Sequence, residues 1–272
     1  MQNFSIAPRE AGASFWRNRN LIAALVTREV VGRYRGSVMG MLWSLFNPVF
    51  MLVIYTFVFS VVFKARWNLA SESKTEFALM LFAGLLVFNL FAECVGRAPG
   101  LILGNTNYVK KVVFPLEILS VVAVGSALFH FLIGLSVWLC AYAILFGPFH
   151  WTVLLLPVVL LPFLLFVLGV VWFLASLGVY LRDVSQIIGV LITVLMFLSP
   201  IFYPVTALPE EYRFLLSINP LTPVIEATRD VLFLGQVPDP LLLGLYSSVA
   251  VVIFCLGFAW FQTTRKGFAD VL

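Results

Sequence analysis

The residue types that catalysis draws on most are scarce in this chain and badly spaced for it. There are two histidines among 272 residues, His130 inside a long apolar stretch and His150 just after it. HExxH and related zinc patterns are therefore impossible, and structural roles, buried or interfacial, are expected for both histidines. Cys94, Cys140 and Cys255 fall in or at the end of apolar stretches with no CxxC spacing. They read as small core residues and not as a disulfide framework or thiolate metal site. No GxSxG elbow occurs, and no DxD pair of the kind that holds a metal on a sugar nucleotide. A P-loop needs GxxxxGK[ST], and none of Lys64, Lys74, Lys110, Lys111 or Lys266 meets it. The chain is expected to be no enzyme and to bind no metal or cofactor of its own. Pumping would draw on a gradient or on a partner that hydrolyses ATP, and gradient-driven carriers usually bury ionisable groups in mid-membrane. Here His130 is the one such candidate well inside an apolar stretch, which favours separate ATPase subunits.

The chemistry that remains is charge and aromatic surface. Arg28 to Pro48 reads REVVGRYRGSVMGMLWSLFNP, a basic segment running into an uncharged one. At 100° per residue, Ile22, Ala23, Val26, Val30 and Tyr34 gather on one side, with Arg28 and Arg35 opposite and Leu21 and Leu25 on the charged side. Glu29 and Arg33 stand four apart in the favourable order, worth about 0.3–0.5 kcal/mol to a helix. An interfacial helix over Leu21 to Arg35, lying in the lipid headgroups, is the expectation; a basic flank that only orients the protein is the alternative. Trp43, Phe46, Phe50 and Phe57 recur at spacings of three, four and seven, on one helix face. Such a face could line a pathway, while ordinary packing or lipid contact stays open in a chain with 27 phenylalanines. Tyr203 is a second pathway candidate.

These residues have to be positioned in a membrane. At 62% hydrophobic and 11% charged residues, with mean hydropathy +1.04, a soluble globule is excluded. Uncharged or nearly uncharged stretches long enough to cross about 30 Å of hydrocarbon recur at Ser37–Phe63, Phe77–Gly96, Ile118–Phe146, Trp151–Leu181, Val184–Pro204 and Leu241–Thr264. The expected fold is an all-α integral membrane protein with six transmembrane helices and an N-terminal interface helix. It forms one transmembrane domain over 1–272, divided into a tail and interface helix (1–36), a six-helix region (37–264) and a second tail (265–272). Pro157 and Pro162 are expected kink points. The first 20 residues lack an apolar core, so the first span is expected to act as the insertion signal. Arg9, Arg17, Arg19, Arg28, Arg33, Arg35, Arg97, Lys110, Lys111, Arg182, Arg265 and Lys266 fall on one side of such a map. Lys64, Arg66, Lys74, Arg213 and Arg229 fall on the other. The bias makes both termini cytoplasmic, and the net charge of +4 reports topology and not nucleic-acid binding.

Three connecting segments stand out. Gly96 to Glu117 carries Pro99, suited to the first turn of a short helix, and Gly104 with Asn105, a good stop. A short exposed helix there could be gripped by a soluble partner; a solvated turn is the alternative. Tyr180 to Gln186, YLRDVSQ, is a tight turn in which Arg182 and Asp183 do not face each other, so one could bind the partner while the other pairs within the bundle. Ser199 to Pro240 contains seven prolines, yet its apolar pieces look helical and are interrupted by Glu226, Arg229 and Asp230. Val224 to Leu234 would be about 16 Å of helix, too short to cross, so two re-entrant helices are expected, their turns bordering a pathway. Glu226 and Arg229 stand at pairing distance with Asp230 sharing their face, as a structural pair or as a substrate contact.

Five ordered blocks then resemble one family: TREVVGRYRGSVMGMLWSLFNP at Thr27–Pro48, NTNYVKKVVFPLEILSV at Asn105–Val121, YLRDVSQ at Tyr180–Gln186, SPIFYPV at Ser199–Val205 and NPLTPVIEATRDVLF at Asn219–Phe233. The chain resembles, over nearly its whole length, the permease subunit of ABC-2-type exporters of capsular polysaccharide, O-antigen or teichoic acid chains. The resemblance implies a bacterial cytoplasmic membrane protein that exports a lipid-linked polysaccharide. It also implies a homodimer over two P-loop ATPase subunits, which hold the ATP and Mg. It implies that Arg97, Asn105, Asn107, Lys110 and Lys111, with Arg182 and Asp183, couple to the ATPase. Arg28, Glu29, Arg33, Tyr34 and Arg35 would form the interface helix, and Glu226, Arg229 and Asp230 the outer gate. Export of a small lipid or drug on the same scaffold, and a membrane-bound glycosyltransferase, are the alternatives.

Overall fold

The computed structural model describes residues 8–58, 74–110 and 114–272, and across them the secondary structure is helical with no strand. Two helices precede the apolar region: α1 (Pro8–Arg17), which opens on a proline that suits a first turn, and α2 (Arg19–Arg33). Then come α3 (Leu42–Phe57), α4 (Lys74–Arg97), α5 (Ile118–Phe146), α6 (Leu156–Tyr180), α7 (Val184–Leu198), α8 (Glu210–Ile218), α9 (Thr222–Arg229) and α10 (Pro240–Thr264).

Four of these, with their flanking turns, are long and apolar enough to cross a bilayer: Thr75–Gly100, Ile118–Phe146, Trp151–Tyr180 and Pro240–Val271. The apolar helices α3 and α7 are shorter, at 16 and 15 residues. The first expected span begins late because Ser37–Met41 form turns, and its far end lies outside the described residues. The fifth stops at Leu198 and not at Pro204. Ser199 is extended, as a residue before proline prefers to be, and that ends the helix. Pro157 sits in the first turn of α6, where a missing N–H costs nothing, so it starts that helix and does not kink it.

The packing explains why α4 is the most enclosed helix, with most of its apolar surface inside the protein. Trp138 of α5 is fully buried and donates to the Leu79 carbonyl at 2.9 Å; Trp172 of α6 is buried likewise and donates to the Glu117 carbonyl at 3.0 Å. Each indole thus buries a large ring without orphaning its N–H. Helices α6 and α10 cross at Gly169 and Gly257, where a Cβ on either would strike backbone of the other helix. Membrane helices associate through such close small-residue contacts, since lipid supplies no hydrophobic drive between them. The outward faces of α6, α7 and α10, including Leu161, Val190, Val194, Leu245 and Val252, are exposed and apolar, as a hydrocarbon-facing surface must be.

The interface segment differs in detail from its expectation. It is α2, ending at Arg33, and Tyr34 and Arg35 lie in the turn beyond. Leu25, placed by periodicity on the charged side, is buried against Ile118 and Val122 of α5, with Ile22 and Val26 beside it. The helix leans on the bundle, so the residues it buries are those facing α5 and not those a flat headgroup layer would select. All three cysteines are free thiols; Cys94 is buried, but Cys140 is exposed and so is not a core residue of this chain alone.

Candidate functional site

A cavity of about 780 Å³ opens between α3, α4 and α5. Trp43, Met51 and Tyr55 of α3 and Phe82, Leu86 and Phe131 form apolar and aromatic walls, with Asn47 and Asn89 among them. Its floor is charged, where Arg33 and Tyr34 meet Glu93, Arg97 and His130. Glu93 is the centre: Arg33 Nη1 lies 2.7 Å from its Oε1, His130 Nδ1 lies 3.1 Å away, and Arg97 Nη1 lies 3.8 Å away. Arg97 also pairs with Glu29 of α2. Arg33 Nη1 is in addition 2.8 Å from His130 Nδ1. A ring nitrogen either accepts or donates, so His130 cannot accept from Arg33 and donate to Glu93 through Nδ1 at once. The guanidinium is always charged, so contact with it makes Nδ1 an acceptor; withdrawing Arg33 frees that nitrogen to donate to Glu93.

The pair expected within α2, Glu29 with Arg33, is therefore not formed. Each residue reaches out of its helix, to Arg97 and to Glu93, because a partly enclosed partner on α4 outcompetes an exposed one on the same face. Arg28 likewise leaves α2, donating to Tyr108 Oη at 3.0 Å, and the Tyr108 ring stacks on Phe114 at 4.2 Å between centroids. Arg35 is exposed, and Tyr34 meets the His130 ring edge-on at 6.2 Å.

The segment after Arg97 is not one helix. A single 3₁₀ turn, Ala98–Gly100, carries Pro99 in its first turn as expected; a second follows at Leu103–Asn105, then one helical turn at Thr106–Val109. A Cβ on Gly178 of α6 would overlap the Pro99 carbonyl, so this segment is seated on α6 through the missing side chain. Asn105 donates to the Leu101 carbonyl at 2.9 Å, while Asn107 and Lys110 are exposed; Lys111 lies outside the described residues. Arg182 and Asp183 are exposed in the turn between α6 and α7, and among the described residues neither forms an ion pair, which removes the expected pairing within the bundle.

Beside this segment Glu117 ties four helices. Its carboxylate accepts from Ser14 of α1 at 2.8 Å and from Arg265, just past α10, at 2.7 Å, while its carbonyl holds Trp172 of α6. Glu93, Glu117 and His130 stand far from Arg33 and Arg265 in sequence or on other helices, so spacing alone does not bring them together.

At the other end of the bundle Arg229 is 2% exposed. It donates to the carbonyls of Met80 at 2.9 Å, Pro200 at 2.5 Å and Ile201 at 2.9 Å, and to Glu226 at 2.9 Å. The expected Glu226–Arg229 pair is present, and it belongs to an anchor that fixes α9 to α4 and to the turn after α7. Asp230 has no cation within 4 Å among the described residues. Tyr203 spends its hydroxyl on the Phe197 carbonyl at 3.0 Å. Of the aromatic face on α3, Trp43, Phe46 and Phe50 adjoin one another along the helix, and all four rings are exposed, but Trp43 alone lines the cavity.

Apolar helices of crossing length around a charged, aromatic-walled cavity define an integral membrane protein, and among the described residues no cluster fit to hold a metal accompanies them. The chain belongs to the ABC-2 type transporter family, whose model matches residues 20–233. It is 30% identical to the O-antigen export system permease protein RfbA of Myxococcus xanthus, over 94% of this chain and 96% of that one. It is 24% identical to a protein of the same name from Klebsiella pneumoniae, over 93% and 95%. The polysialic acid transport protein KpsM of Escherichia coli is 25% identical, over 94% and 98%.

Proposed function

We propose that this chain is the permease subunit of an ABC exporter that moves a lipid-linked polysaccharide, of O-antigen or capsule type, across the bacterial cytoplasmic membrane. The observation that carries the reading is similarity along nearly the whole chain to relatives named for O-antigen export and polysialic acid transport. In this reading six helices span the membrane, α8 and α9 are re-entrant, both termini are cytoplasmic, and two copies form the pore above two ATPase subunits that bind ATP and Mg. The segment from Arg97 to Lys111 docks in the ATPases. Movement of that segment reaches α2 through Arg97–Glu29 and Arg28–Tyr108, and reaches the cavity through Glu93, Arg33 and His130. Closure of the ATPases would thus reset the cavity floor.

Deleting the gene should remove surface polysaccharide and trap the lipid-linked polymer inside the cell, and the intact gene should restore it. Retained surface polysaccharide with new drug sensitivity would select a small-molecule exporter instead. Reversing the charges of Lys110 and Lys111 together should abolish export while the protein still inserts; normal export would refute the docking assignment.

A further inference from the structure

A second cavity, of about 590 Å³, lies at the opposite end, between α6, α10 and the α8–α9 hairpin. Its lower walls are apolar: Val159 and Phe166 of α6 face Leu242, Leu245 and Val249 of α10. Those three α10 residues are also exposed on the hydrocarbon-facing surface, so the cavity opens sideways toward lipid chains.

Its polar part is unbalanced. Glu226, Asp230 and Asp239 all line it, and the cation beside them is Arg229, buried and shared with three backbone carbonyls. Asp239 also caps α10, accepting from the Leu241 N–H at 2.9 Å. Among the described residues neither Asp230 nor Asp239 has a cationic side chain within 4 Å, so of the three carboxylates Glu226 alone is paired, with Arg229. Two hydroxyls lining the same space, Thr222 Oγ1 and Tyr246 Oη, are buried without a hydrogen-bond partner among the described residues. Buried polar atoms are normally satisfied, and water or a ligand group in the cavity would satisfy these. The carboxylates do not converge as a metal site would: the described residues hold no group of three or more acidic, histidine or cysteine side chains able to bind a metal ion. The positive charge that fits is therefore organic and attached to something apolar.

We infer that this cavity binds a phospholipid with a primary ammonium headgroup. The ammonium donates to the carboxylates of Asp230, Asp239 and Glu226. The hydroxyls of Tyr246 and Thr222 donate to the phosphate, and the acyl chains run down the cleft between α6 and α10. An anionic headgroup without the ammonium meets only the excess negative charge. The inference is independent of what the protein exports.

Native mass spectrometry of the full-length protein tests it, after incubation in detergent with phosphatidylethanolamine, phosphatidylcholine and phosphatidylglycerol of identical chains. Phosphatidylethanolamine should be retained about tenfold above the other two, the discrimination given by one charge-assisted hydrogen bond. The preference should vanish in Asp230→Asn combined with Tyr246→Phe. It should vanish also in Leu245→Trp, which fills the cleft from its exposed wall and leaves the polar groups intact. Equal retention of the three lipids, preference for phosphatidylglycerol, or a preference that persists in both variants would overturn the inference.

Discussion

Arg229 and Arg33 both lie against α4, one near each end of it, and their partners differ in kind. Arg229 has a side chain 3% exposed and donates mainly to backbone carbonyls; Arg33 is 45% exposed and shares one carboxylate with a histidine and a second arginine. A carbonyl has no charge to lose and no rotamer to change, so the Arg229 contacts hold or break as a unit. Glu93, His130, Arg97 and Glu29 can exchange partners without unburying a charge completely. The first arrangement is a clamp and the second a junction, and in the proposed function movement during transport belongs to the second.

The largest expected effect comes from breaking the clamp. Arg229→Met removes the donor to three carbonyls and to Glu226, at a cost of about 3–5 kcal/mol, and should abolish thermal stability in detergent or membrane accumulation. A melting temperature close to that of the native protein would mean that the α9 region is not held this way. Next is Gly178→Ala, whose methyl overlaps the Pro99 carbonyl and forces Ala98–Gly100 off α6, a strain of about 1–3 kcal/mol. The protein should still insert, but co-purification with its ATPase should fall sharply; unchanged co-purification would separate this segment from docking. Smallest in stability is Trp43→Ala, on a ring 44% exposed, which should shift melting little yet slow export if the cavity wall contacts polymer. Unchanged export would leave Trp43 a packing residue only.

The contrast between the ends also explains what could be read from sequence. Pairing of Glu226 with Arg229 was legible because helical spacing places both on one face, whereas the break at Ser199–Pro200 was not, because apolar length alone carries the fifth span on to Pro204. Helical class and the positions of α4, α5, α6 and α10 followed from uninterrupted apolar length. The junction was not legible, since Glu29, Arg33, Glu93, Arg97 and His130 come from three helices, and spacing within one helix says nothing about partners on another. The same reason made Glu29–Arg33 look like a pair. Leu25 was misplaced because periodicity assumes one flat apolar surface, whereas α2 rests on a neighbouring helix. The aromatic face of α3 was correct as a face, but sequence could not tell that it turns Trp43 alone into the cavity.

The claim that the junction transmits movement is tested most directly by exchanging its charges. Glu29→Arg and Arg97→Glu should each leave the protein within about 1 kcal/mol of native stability, as half-exposed pairs do, while blocking polysaccharide export with the ATPase still bound. The double exchange, which restores the pair in reverse, should recover export. Full export in both single variants, or none in the stable double variant, would contradict the account.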